Sequence, residues 1–178
     1  MARYVKVCTF GCPQLFVPPP VPEGQKAVDR MLEHWQGELE AVLPDRPDLI
    51  VLPEVSDRFY QHTLEQRKAY YAIRKNQVRD FWAGVAKDNS CYVAYSAVRE
   101  MEDGTWRNAT QVIDRSGRVA GIYHKNHLVK EECTDCGCLY GKDTPIIQCD
   151  FGTVGCAICF DLNFDELRLQ YAQKKPDM

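Results

Sequence analysis

Three residues of different chemistry close apolar runs that lie far apart in the chain. Glu54 ends LIVLPE (49–54), Lys125 ends VAGIYHK (119–125) and Cys159 ends VGCAIC (154–159). Such short runs read as strands, and in an α/β sheet the strand ends converge on one rim where sites are built. A Glu, a Lys and a Cys meeting there could act together on a carbonyl carbon. The thiolate is the effective nucleophile, and a free thiol with a pKa of about 8.5 needs help to ionise near neutral pH. A carboxylate can take its proton, and an ammonium can stabilise negative charge developing on the carbonyl oxygen. After Cys159 the chain turns aromatic and acidic, FDLNFDE (160–166), which predicts a helix opening there. Its first free backbone N–H, that of Phe160, would add a donor to the oxyanion site.

The elements that must position these side chains can be read from the same patterns. RYVKVCTF (3–10) alternates and reads as a strand; VPPPVPEG (17–24) is a proline-rich loop. Val28, Met31, Leu32, Trp35, Leu39, Val42 and Leu43 recur at helical spacing between Gln25 and Leu43, a helix closed by Pro44. PDLIVLPE (47–54) is a continuous apolar run, as expected of a strand covered on both faces. Residues 64–88 read as mostly helical, with Ala72, Val78, Phe81, Trp82 and Val85 as core candidates. CYVAYSAV (91–98) is a strand. Residues 107–125 are a hairpin with a Ser-Gly turn, and 146–159 a second hairpin turning near Phe151-Gly152. Residues 164–175 are helical and end at Pro176. The order predicts an α/β protein, a mixed sheet with helices packed against it.

Composition narrows the class. With 178 residues, 45% of them hydrophobic, the chain can bury a real core. Its net charge of -3 and the lack of a basic run speak against a nucleic-acid partner. The apolar stretch at the start is broken by Lys6, Thr9 and Pro13, and no window approaches the roughly 18 apolar residues of a membrane span. Nine cysteines, an odd count without a leader, argue for a cytoplasmic protein with reduced thiols. Cys8, Cys91, Cys149 and Cys156 fall on strands and read as core. CTDCGC (133–138) spaces Cys133, Cys136 and Cys138 suitably for Zn²⁺, with His124 or His127 as a fourth ligand. Only one such knuckle is present, which favours an active-site loop; a transient disulfide is a further option. Phe81, Trp82, Tyr92 and Tyr95 read as core aromatics, Trp106 is not placed, and His34 and His62 read as surface residues. His127 could brace the lysine strand.

LPE (52–54), YHKNHL (123–128) and GCAICFDLNFDELR (155–168) resemble the three signature blocks of the nitrilase superfamily of carbon–nitrogen hydrolases, in order and on fitting elements. The resemblance spans nearly the whole chain. It implies a single domain over residues 1–178 with an α-β-β-α sandwich, and a Glu-Lys-Cys triad acting without metal or cofactor. Glu54 would be the general base, Lys125 the oxyanion stabiliser and Cys159 the nucleophile. A second glutamate that positions substrate would be Glu131 or Glu132, with Glu132 slightly favoured. CFD (159–161) resembles the amidase and carbamoyl-hydrolase branches, which implies a small linear amide or N-carbamoyl (ureido) substrate. Homodimers or larger assemblies are implied for a full-length protein. His124 stands where the family commonly shows Arg, and Asp165 where Pro is usual. The chain stops at AQKKPDM (172–178), a Pro-Asp pair like the one that enters the strand in RPDLIVLPE (46–54). The expectation is therefore that the C-terminal part of the sandwich is missing. The alternatives are a truncated, inactive interaction or regulatory partner and, more remotely, a zinc-binding module on CTDCGC.

Overall fold

The computed structural model describes residues 4–11, 15–134 and 136–178. The apolar runs pair into a five-stranded sheet in sequence order: β1 (Val7–Thr9), β2 (Leu49–Val51), β3 (Tyr92–Glu100), β4 (Trp106–Ile113) and β5 (Val119–His124). The first three are parallel to one another and the last three antiparallel. Parallel neighbours need long crossovers. These are α1 (Gly24–Val42) between β1 and β2, and α2 (Leu64–Arg74) with α3 (Gln77–Asp88) between β2 and β3. The β4–β5 turn is drawn against α3, and a Cβ on Gly117 would sit 2.8 Å from the Ala83 carbonyl oxygen, at φ +80°.

Helices cover one face of the sheet. Ala27, Val28, Met31, Trp35, Leu39 and Val42 of α1 are buried, as are Val78, Trp82, Val85 and Ala86 of α3. Trp35 and Trp82 meet edge to face at 5.4 Å, with Phe10 5.4 Å from Trp35, an arrangement that adds to the burial of the rings themselves. On the other face β6 (Ile147–Cys149) and β7 (Gly152–Val154) form a two-stranded antiparallel sheet. Their Ile147, Cys149 and Val154 cluster with Leu49, Tyr92, Ala94 and Val112. Gly121 permits this approach, since a Cβ there would lie 2.7 Å from Ile147 Cγ1. The short α4 (Lys130–Thr134) precedes β6, and α5 (Asp165–Lys174) follows β7. Beyond α5, Met178 N–H donates to Thr153 O and Gly155 N–H to Met178 O, so the Pro-Asp segment does run beside a strand. Asp177 accepts the Thr153 N–H there, much as Asp48 accepts that of Lys6.

Several expectations are corrected. The first strand is confined to 7–9, and Arg3 lies outside the described residues, as do Cys12, Pro13 and Asp135. Residues 64–88 form two helices, because Lys75 takes φ +43° and the Arg74 side chain is drawn into the interior. Within the first of them Tyr70 and Tyr71 are buried and Ala72 is exposed. Strand pairing in the second hairpin stops at Val154, leaving 155–158 to lead into a five-residue 3-10 turn, Cys159–Asn163, where an α-helix was expected. His62 is buried, its Nε2 3.0 Å from Pro22 O. Cys91 and Cys149 are core residues as expected, whereas Cys8 and Cys156 are half-buried. Trp106 begins β4 and bridges to Cys138. Among the described residues no helix is long and apolar enough to cross a membrane.

Candidate active site

Glu54 lies in the loop after β2, and the backbone beside it is strained: Val55 takes φ +46°, rare for a β-branched residue. The loop is sewn to β3. Leu52 N–H donates to Ala94 O at 3.1 Å and Ser56 N–H to Ser96 O at 2.9 Å. Asp57, wholly buried, accepts from Arg74 Nη1 at 2.7 Å and from the Tyr95 hydroxyl at 2.5 Å. Arg74 Nη2 donates to Val98 O. Burial, and then the Asp57 carboxylate, hold the Tyr95 phenol well above its ordinary range.

Lys125 follows β5, its backbone N–H bonded to Asn108 O at 2.8 Å. Its side chain is 1% exposed, and Nζ donates to Glu54 Oε1 and Glu132 Oε2, both at 2.7 Å. Burial alone would lower the ammonium's pKa, but the Glu132 and Glu54 hydrogen bonds outweigh it and the net shift is upward. Asn108 of β4, also 1% exposed, donates through Nδ2 to Glu54 Oε1 at 2.7 Å and to Glu132 Oε1 at 2.5 Å. Glu54, Lys125, Glu132 and Asn108 thus close a ring. Val129 N–H fixes Glu132 Oε2 at 2.9 Å, while Glu131 is exposed.

Cys159 opens the 3-10 turn at φ +47°, with its side chain exposed. It lines the same cleft as Glu54, Lys125 and Glu132. Partial desolvation by its neighbours, and then Glu54, push the thiol pKa up; Lys125 and the Phe160 N–H only partly oppose this. A neutral thiol beside a carboxylate acceptor and a buried ammonium can give up its proton locally and attack an electrophilic carbon, with cationic and N–H donors near the oxygen.

The carbon-nitrogen hydrolase family model matches residues 11–178. The chain belongs to that family. Among curated proteins it is 29% identical over 119 residues to a hydrolase of Pseudomonas protegens, covering 67% of this chain and 42% of that protein. It is 24% identical over 129 residues to a hydrolase of Schizosaccharomyces pombe, covering 68% and 40%. The chain therefore spans about two fifths of the length of these relatives. Among solved structures, a carbon-nitrogen hydrolase from Helicobacter pylori superposes with a TM-score of 0.71 at 17% identity, over 96% of this chain and 56% of that one. Saccharomyces cerevisiae Nit3, a member of branch 10 of the nitrilase superfamily, gives 0.66 at 22% identity, over 86% and 56%. These likenesses show the fold: a mixed sheet flanked by helices, of the nitrilase type.

In this carbon-nitrogen hydrolase fold two clefts open onto Glu54 and Cys159. One, of about 160 Å³, is lined by Lys125, Glu132, Arg58, Tyr71, Cys136 and Cys138. The other, of about 250 Å³, is chiefly apolar and includes Val51, Leu52, Ala94, Val154, Ile158 and Met178. The CTDCGC segment thus borders the site. Arg67 Nη1 donates to Cys136 Sγ at 3.8 Å, Cys133 lies 3.4 Å from the Tyr140 hydroxyl, and burial pushes Cys138 up to about 12. Among the described residues no three His, Cys, Asp or Glu side chains are grouped to hold a metal ion. His124 is half-buried, its pKa lowered by burial and by Arg99 and Arg107. Asn108 escaped the sequence reading. Its signal was a strand-disfavoured amide inside the otherwise regular run RNATQVI (107–113).

Proposed function

We propose that the chain carries the catalytic apparatus of a hydrolase acting on a small linear amide or N-carbamoyl compound through a Cys159 thioester. Glu54 takes the thiol proton as Sγ attacks the carbonyl carbon. The Lys125 ammonium and the Phe160 N–H receive the oxyanion. Collapse of the tetrahedral species breaks the C–N bond, and Glu54 returns the proton to the leaving ammonia or amine. Glu54 then takes a proton from water, which attacks the thioester, releases the acid and restores the thiol. Glu132 and Asn108 hold Lys125 and Glu54 in place and offer substrate a polar wall. Each of these steps is assigned to a group of this chain. The restriction to amide or ureido substrates is supported by the CFD order at 159–161. Residues 1–178 are taken as one domain of an enzyme that works as a homodimer or larger assembly.

The observation that carries this reading is the Lys125 ammonium held 2.7 Å from Glu54, with Cys159 lining the same cleft. Incubation with an N-carbamoyl amine and a short ω-amide, following ammonia and acid release, tests it. The wild-type chain should turn over at least one of these substrates, and Cys159→Ala should not. Equal rates for the two proteins would reject it.

A further inference from the structure

One buried carboxylate outside the triad touches the segments that carry two of its members. Asp161 is wholly buried, and its oxygens take four hydrogen bonds. Oδ2 accepts from Ile158 N–H at 2.9 Å and the Tyr123 hydroxyl at 2.7 Å; Oδ1 accepts from His127 N–H at 2.8 Å and faces His127 Nδ1 at 2.9 Å. Ile158 immediately precedes Cys159, and Tyr123 and His127 stand two residues to either side of Lys125.

We propose that Asp161 is a positioning residue, which pins the Cys159 turn to the Lys125 strand and so keeps the sulfur on Glu54. The proposal rests on the reading of Cys159 as nucleophile. The physical need is visible in the backbone. Cys159 holds φ +47° without being a glycine, a strained conformation that persists only where its surroundings over-determine it. Asp161 supplies that constraint from inside the turn. The constraint is reinforced from outside: the His127 ring stacks on Phe164 at 3.8 Å, and its Nε2 lies 3.1 Å from Glu166 in the first turn of α5. Tyr171 of the same helix donates to Cys156 O at 2.7 Å and accepts from Cys156 N–H at 3.1 Å. Only a carboxylate suits this pocket, because an amide would present its own N–H groups to two of the donors.

The test is the pH profile of Cys159 alkylation by iodoacetamide, resolved by peptide mass spectrometry, in the whole chain and in Asp161→Asn. Buried Cys138 serves as the internal gauge of unfolding. The thiol that sits high because of partial desolvation and Glu54 should, once released, move down toward the roughly 8.5 of a free cysteine, with Cys138 still protected. The kcat for an amide that the wild type hydrolyses should fall roughly a hundredfold, as expected when a reacting atom is displaced by about 1 Å, with KM little changed. Tyr123→Phe and His127→Gln each remove one donor, should shift the midpoint part-way, and decide the matter if Asp161→Asn does not fold. A midpoint that stays at the wild-type value in the folded variants, or moves only when Cys138 also reacts, overturns the proposal. Alkylation is read without turnover, so a chain whose Cys159→Ala form still hydrolyses substrate would sink the catalytic reading while leaving this test intact.

Discussion

Lys125 is the most constrained residue of the site. Its ammonium has two carboxylate acceptors, and its pKa lies above that of a lysine in the unfolded chain. A group whose pKa is raised by folding contributes stability that is fully present below the unfolded value, about 10.4, and is lost as pH climbs through the folded value. We therefore expect Tm of the wild-type chain to fall with an added step above about pH 10.4, and Lys125→Met to lack that step. Near neutral pH the variant leaves Glu54 and Glu132 facing each other without a cation, at a cost of up to about 3 kcal/mol. Melts at a series of pH values compare the two. Glu54, Lys125 and Cys159 could be read from the sequence because each ends an apolar run. The choice between Glu131 and Glu132 could not, because it turns on which side chain at the start of α4 reaches the Val129 N–H and Lys125. Asn108 and Asp161 were missed for a related reason. Each gains its meaning from partners far along the chain, Glu132 and Glu54 for Asn108, Tyr123 and His127 for Asp161.

At the scale of elements, the Glu54 loop is held by a buried ion pair between Asp57 and Arg74. Removing one partner leaves a charge buried and uncompensated, so Arg74→Ala should destabilise by about 3–5 kcal/mol and lower Tm by roughly 10 °C. Arg79→Ala, which breaks the more exposed pair with Asp80, should cost about 0–1 kcal/mol. Equal effects in thermal melts would contradict this placement of the load. The same pair explains why residues 64–88 misled a periodicity reading. The apolar spacing is helical throughout, but Arg74 points inward and the chain turns at Lys75 with φ +43°. An inward arginine is invisible until its acceptors, Asp57 and Val98 O, are known. The strands were easier, because β3 is buried along most of its length and its run is correspondingly apolar. The segment 155–158 was over-read as strand, since Cys156 bonds to Tyr171 of α5 and not across the hairpin.

At the scale of the molecule, a mixed sheet brings the ends of β2 and β5 and the turn after β7 to one rim, with helices packed on one face and a small second sheet on the other. The order of elements was enough to reach this architecture, because right-handed crossovers between parallel neighbours leave few alternatives. It was not enough to show that β6 and β7 would form a separate sheet, which depends on the bare Cα of Gly121 under Ile147. The whole arrangement earns its chemical meaning only if the sulfur on that rim becomes covalently acylated. Acid-quenched peptide mass spectrometry during hydrolysis of a short amide tests this most directly. The substrate's acyl mass should appear on the peptide containing Cys159 while turnover proceeds. Hydrolysis with Cys159 unmodified at every time sampled, or an acyl group carried by another residue, would contradict it.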